Sequence, residues 1–364
     1  MDILQETMIT TGPRDIPLPL PLPEWLLVVL LVVSFLMHIL FVNLMIGGSL
    51  LTLWAEIKGK KKPEFDTLAK EIANTITVNK SLAVVIGVAP LLTINALYTL
   101  FFYSANALTG TLWISIVPIV TFVFLLLYFH KYTWERYSGT PGKKRFHIGI
   151  NVAAVVLLLF VPFIFLANIN LMLFPEKWGT VKGFFSAMLM SNVIPRYLHF
   201  LCATLAVTGL FLFGYMKRKS YPFETIFGQT SRPTVLRWWY RLALGATLLQ
   251  LALGPLNLFT LPWYAVNWNL GYLVIGGATF AIIAMFLLWR ELKGPDEKLG
   301  RRFYLIAVIL TITVLFMGTV RHVYRASALA PHMDKIRHNA QQHMEKVKQL
   351  QQTRQSGENQ NNQP

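Results

Sequence analysis

His38 lies inside the first long apolar stretch, Trp25 to Trp54, with no charged residue within ten positions on either side. Burying an ionisable ring in hydrocarbon is costly unless something uses it. A neutral imidazole keeps one nitrogen lone pair, and inside a helix bundle it is a natural axial ligand for haem iron. Two further histidines are candidates for the same chemistry. His199 follows Pro195 by four residues, and His322 sits in Arg321-His322-Val323-Tyr324-Arg325. Haem also needs a flat slot, and small residues let helices and ring planes approach closely. Gly47-Gly48-Ser49 and Gly276-Gly277 supply such surfaces. Its propionates need cations, and Arg196, Arg321 and Arg325 are the available ones. Each feature has a plainer reading: a core histidine bonded to a carbonyl, an interfacial ring, tight helix packing, snorkelling arginines. His130 and His147, at inner span ends, and the tail histidines His332, His338 and His343 read as ordinary polar-boundary residues. No residue is assigned to bond-making catalysis.

The elements that must position these groups are membrane helices. The chain has 364 residues, 54% of them hydrophobic and only 14% charged, which is membrane composition. Apolar stretches long enough to span a bilayer run approximately over 25–54, 82–105, 111–130, 148–173, 196–216, 242–262, 270–289 and 303–319. The expected fold is therefore all-α, a polytopic bundle of about eight transmembrane helices. Short connections leave no room for a barrel's turn pattern, and a spanning backbone must satisfy its own hydrogen bonds. The net charge of +16 does not point to nucleic acid, because Lys and Arg alternate with the spans. The segments 57–80, 131–146, 217–241 and 290–302 hold 22 of the 33 basic residues, whereas the intervening connections hold four. The positive-inside rule then places both termini outside the cytoplasm, in a bacterial or archaeal cytoplasmic membrane. That topology puts His38, His199 and His322 in the outer half. No Asp or Glu is read in a span interior, since Glu24 and Glu56 fall at the ends of the first helix. Cys202 is alone, so there is no disulfide, iron–sulfur or covalent-haem motif.

Three segments are expected. Residues 1–23 form an extracytoplasmic proline-rich lead-in, stiff and extended. Residues 24–325 form one membrane domain. Residues 326–364 form a polar extracytoplasmic tail, with a surface helix near 333–350 and disorder after Thr353.

The segment from His38 through Gly47-Gly48-Ser49 to Trp54-Ala55-Glu56 resembles the first helix of subunit I of cytochrome bd quinol oxidases. That helix carries a haem-ligating histidine. Asn79 to Ala89 resembles the family's second helix, and Leu166-Ala167-Asn168-Ile169-Asn170 the outer end of its fourth. Arg196-Tyr197-Leu198-His199 resembles its fifth, which supplies the low-spin haem histidine. The resemblance covers roughly the first 220 residues, and more faintly the rest. Departures are equally specific. Asn95 stands where the family's second helix has a Glu-Phe-Gln segment. The third helix lacks carboxylates over 113–128, and Gly254-Pro255-Leu256-Asn257 replaces an acidic segment. The large outer quinol loop is missing, and Val274 stands at the partner methionine. Gly318 to His322 corresponds loosely to a conserved Arg segment and its glutamate ligand.

Reducing oxygen needs proton delivery, which carboxylates normally supply. The expectation is therefore electron transfer: an integral membrane b-type cytochrome subunit of a respiratory complex. It would carry non-covalent haem b on His38, His199 and His322. It would pass electrons between membrane quinol and an outer partner, a c-type cytochrome or an iron–sulfur subunit in a hetero-oligomeric complex. Membrane lipid is the remaining partner, and nucleic acid is none. A haem-free quinone-binding anchor and a divergent terminal quinol oxidase are the alternatives.

Overall fold

Every element is helical, and the chain places no strand among the described residues. The computed structural model describes residues 20–361 except 139 and 229. The lead-in before residue 20, the last three residues and the side chain of Asn79 lie outside that description. In chain order the helices are α1 (Glu24–Gly59), α2 (Pro63–Leu97), α3 (Thr99–Thr109), α4 (Thr111–Ile114), α5 (Ile116–Tyr132) and α6 (Trp134–Ser138). There follow α7 (Pro141–Met172), α8 (Phe184–Met188), α9 (Val193–Lys217), α10 (Phe223–Phe227), α11 (Arg232–Phe259), α12 (Trp268–Lys293) and α13 (Phe303–Asn361). Among the described residues they form seven spans long and apolar enough to cross a membrane, α4 and α5 together making one, and α2 makes eight if its two halves, bent by 44°, count as one span.

Local chemistry sets the boundaries. Prolines end at Pro23, and Glu24 opens α1 with an acidic first turn, where the helix dipole favours it. Pro63, Pro141 and Pro233 sit in the first turns of α2, α7 and α11, where a missing N–H costs nothing. Asn267 caps α12 by accepting from the Leu270 amide at 2.9 Å. Pro255 does not break the sixth span, which is one helix through Phe259.

α1 is the axis of the bundle and packs against α2, α7, α9 and α13. Glycine permits the closest of these contacts. A Cβ on Gly47 would strike the Thr204 carbonyl and Thr208 hydroxyl of α9, and one on Gly48 would strike the Ile76 side chain of α2. Thr208 Oγ1 donates to the Asn43 carbonyl at 3.1 Å, tying the α1–α9 crossing. Outward-facing residues such as Val85, Leu92, Ile114, Val117 and Phe122 are exposed, as lipid-facing side chains must be. Trp25, Trp263 and Trp268 stand exposed at one end of the bundle, the interfacial level that indole prefers.

The last span differs most from expectation. Read as the shortest, it is the longest helix, running unbroken past Pro331 to Asn361. After Pro331 more than half of the residues are Gln, Lys, Met, Glu, Arg, Leu or Ala, all strong helix formers. That propensity carries the polar tail as helix where composition alone suggested a short helix and then disorder. At 1.5 Å per residue, the part beyond Ile336, the last buried residue of the tail among those described, is roughly 35–40 Å long. Its first turns are anchored: Ala328, Leu329 and Ile336 are buried. His332 lies 3.5 Å from Glu176, whose two carboxylate oxygens also accept from Tyr264 Oη at 3.5 Å. Burial works against the Glu176 charge, but the His332 contact and the charges of His332 and Lys177 outweigh it and hold the carboxyl below its usual range. Burial, then the Glu176 charge, pushes the Tyr264 hydroxyl up to about 12.

Two outcomes follow from this packing. Gly48→Ala should destabilise the detergent-solubilised protein by about 1–3 kcal/mol. Adding Ile76→Val, which removes the blocking Cδ1 but keeps Cγ1, should recover part of it in a thermal melt. Gly47→Ala, which meets backbone, should have no such rescue. The tail anchor should depend on pH. A carboxyl whose pKa is lowered by folding stabilises the fold above its unfolded value of about 4 and loses that stabilisation as pH falls through the lowered one. Spin labels beyond residue 336 should therefore become more mobile on acidification below about pH 4. Glu176→Gln should give mobile labels already at pH 7 and remove the pH dependence.

Candidate functional site

Two polar clusters interrupt the apolar interior, one near each end of α1. The end holding Glu24 and Arg321 is called outer here, following the charge bias of the connections. At that end His38 is half-buried on α1, and its Nδ1 lies 2.8 Å from the Ala83 carbonyl of α2. A carbonyl only accepts, so Nδ1 carries the proton and Nε2 keeps its lone pair. Gly87, one turn along α2, makes room for the ring: a Cβ there would stand 2.7 Å from His38 Cε1 and 2.9 Å from Nδ1.

His199 is half-buried on α9 and makes no hydrogen bond among the described residues. Its depth follows from the α1–α9 crossing. Gly47 meets Thr204 and Thr208 there, and His38 and His199 each precede the crossing by about two turns. Both rings therefore stand about 10 Å outward of it, at similar depth. His322 is half-buried on α13, and its Nδ1 is buried without a partner. Gly318, one turn before it, packs against Leu36 of α1, so α13 approaches α1 close to His38.

The three arginines converge on the same region. Arg196 and Arg325 are buried. The Arg196 guanidinium lies 5.1 Å from the Tyr324 ring of α13, Arg321 4.6 Å from Phe35 of α1, and Arg325 5.7 Å from Tyr98. The three charges act on one another, and Arg196 and Arg321 act on His199. Among the described residues no carboxylate forms an ion pair with any of them, and Arg325 Nε has no hydrogen-bond partner. Aromatic faces offer only weak compensation for a desolvated guanidinium. The arrangement is therefore short of anions.

The inner cluster corrects the sequence reading. Glu56 is completely buried inside the bundle; it is not an ordinary helix-end carboxylate. His130 of α5 and His147 of α7, read as polar-boundary residues, both face it. His130 Nε2 lies 2.9 Å from Glu56 Oε2 and His147 Nδ1 2.6 Å from Oε1. Asn151 Nδ2 donates to Oε2 at 3.1 Å, and Lys144 Nζ lies 3.2 Å from Oε1 and 2.5 Å from Asp66. The two imidazoles stack with centroids 4.0 Å apart, and Trp134 stands edge-on to both. A signal for His147 was present: with Asn151, Ala154 and Leu158 it follows the helical repeat of the buried face of α7. Glu291 is a second buried carboxylate, but it accepts from the Gly300 and Arg302 amides and so fixes the α12–α13 turn.

The fold is that of a known membrane enzyme. The bd oxidase from Geobacillus thermodenitrificans superposes with a TM-score of 0.63 over 83% of this chain and 87% of that chain, at 13% sequence identity. No protein-family model matches the chain, and no curated protein matches it. The chain is an all-α polytopic membrane bundle with a bd-oxidase-like fold.

Proposed function

We propose that the chain is an integral membrane b-type cytochrome subunit of a respiratory complex. It would hold non-covalent haem b at its outer cluster and move electrons between membrane quinol and an extracytoplasmic redox partner. One observation carries this reading: three mutually repelling guanidiniums, short of anions, stand in the same outer layer as the free Nε2 of His38. The residues fit haem on both counts. His38 offers a lone pair whose direction is fixed by the Ala83 carbonyl, an outer-shell contact that orients a metal-ligating imidazole. His199 offers a ring without another hydrogen bond among the described residues, and His322 Nδ1 is buried and unpartnered. Arg196, Arg321 and Arg325 would take the propionates, exchanging mutual repulsion for charge-assisted hydrogen bonds. When bound, haem supplies one-electron exchange at a potential set by its axial ligands and their surroundings.

The protein's own part is to hold, orient and insulate. Gly87 keeps the His38 ring upright, apolar side chains exclude water, and the arginines stabilise the added negative charge. A bd-like respiratory membrane subunit acting on quinol is the reading that unites the fold with the donor set. The acceptor would be a separate outer chain, a c-type cytochrome or an iron–sulfur protein, and the long helical tail would dock it.

Reduced-minus-oxidised spectra of the purified protein test the assignment. A b-type Soret and alpha band is expected. His38→Ala and His199→Ala should each lose at least one haem, and Gly87→Leu, which invades the His38 ring position, should lose the same component as His38→Ala. An iron-free preparation, or full haem in all three variants, would contradict it.

A further inference from the structure

We infer that the inner cluster is a site for a divalent metal ion of the zinc class, held by Glu56, His130 and His147. Three different helices supply these residues, and one ligand atom from each lies within 4.8 Å of the others. Two imidazoles and one carboxylate form a donor set that binds zinc with one position left open.

The hydrogen bonding around His147 requires a cation. Its Nε2 lies 2.8 Å from the His130 carbonyl and its Nδ1 2.6 Å from a Glu56 oxygen. A neutral imidazole has one N–H for these two acceptors. With the proton on Nε2, the Nδ1 lone pair faces a carboxylate oxygen, and only a positive ion between them makes that contact attractive. The Nε2–H to carbonyl bond is the outer-shell arrangement that fixes a ligating tautomer. Charge agrees in sign. With neutral histidines, Glu56 and Asp66 against Lys144 leave one negative charge in excess in a buried setting. Lys144 is shared between Asp66, at 2.5 Å, and Glu56 Oε1, at 3.2 Å.

A proton on His147 would also satisfy the charge. The donor set from three helices favours the metal ion, and the surroundings leave room for its water. Thr52 Oγ1 and Asn151 Oδ1 are buried without a partner, one turn from Glu56 and from His147 respectively. A cavity of about 10 Å³ lies between Ser49, Thr52, His130 and Asn151. That is about one water molecule. A water there would give both oxygens a partner, and beside His130 it stands where a metal ion's open position could take it. Zinc bonds of about 2.0–2.1 Å place tetrahedral ligand atoms roughly 3.4 Å apart. The present contacts need to open by well under an ångström.

The inference rests on this cluster alone and not on the haem reading. Its test is zinc content, measured by plasma mass spectrometry on the full chain in detergent after exposure to micromolar Zn²⁺ and desalting. About one zinc per chain is expected. It should fall at least tenfold in Glu56→Gln and in His147→Ala, and it should persist when His332, His338 and His343 of the tail are changed to Asn. No retained zinc would overturn the proposal, as would equal zinc in Glu56→Gln and His147→Ala, or loss of zinc with the tail histidines. Should those two variants fail to fold, the wild-type melting temperature decides. It should rise with stoichiometric Zn²⁺ and drop with chelator, and an unmoved transition would refute the site.

Discussion

Positive charge on α9 and α13 that pairs with no carboxylate among the described residues is the constraint from which the account of this protein follows. A guanidinium in a membrane interior is tolerated when it meets an anion, water or a polar neighbour. Arg196 and Arg325 are buried, and with Arg321 they meet aromatic faces and one another. A bundle of this composition has many apolar ways to fill the same space. Keeping three cations there makes physical sense when an anionic group completes them. On the proposed reading, the free face of His38 and the open ring of His199, at similar depth, would hold the iron of that group.

α1 connects this outer layer to the inner one. It is apolar along most of its length, yet it bears His38 in its outer half and Glu56 in its last turns. Gly47 and Gly48 lie between them and bring α9 and α2 close enough to define both clusters. The hydrophobic contacts are therefore organised around two polar demands on a single helix. α2 holds the His38 tautomer through Ala83 and clears space at Gly87. α5 and α7 close around Glu56 with His130 and His147.

Much of this was legible in the sequence, and the parts that were not have physical reasons. Hydropathy located seven spans that the helices bear out, and the eighth counts if the bent halves of α2 form one span. Satisfying the backbone in lipid leaves helices as the only choice. His38 stood out because no charged residue flanks it, and charge alternation gathered His199, His322 and the arginines on one side. Glu56, His130 and His147 were passed over because each lies near a span end, where sequence cannot separate a buried group from a solvated one. Their burial depends on three helices meeting, which is tertiary information. The tail was misjudged in length because low hydrophobicity argued for disorder, while the helix propensity of its Gln, Lys and Ala residues argued the other way. At 13% identity, the likeness to a bd oxidase extends to the fold; the role of the clusters rests on their own geometry.

The central claim is that the outer cluster exists to bind haem. A side-chain-resolution density map of the purified, untreated protein tests it most directly. The account predicts planar density carrying iron within coordination distance of His38 Nε2, with its carboxylates against Arg196, Arg321 or Arg325. Water, lipid phosphate or empty apolar packing between those residues, with no planar group, would contradict it.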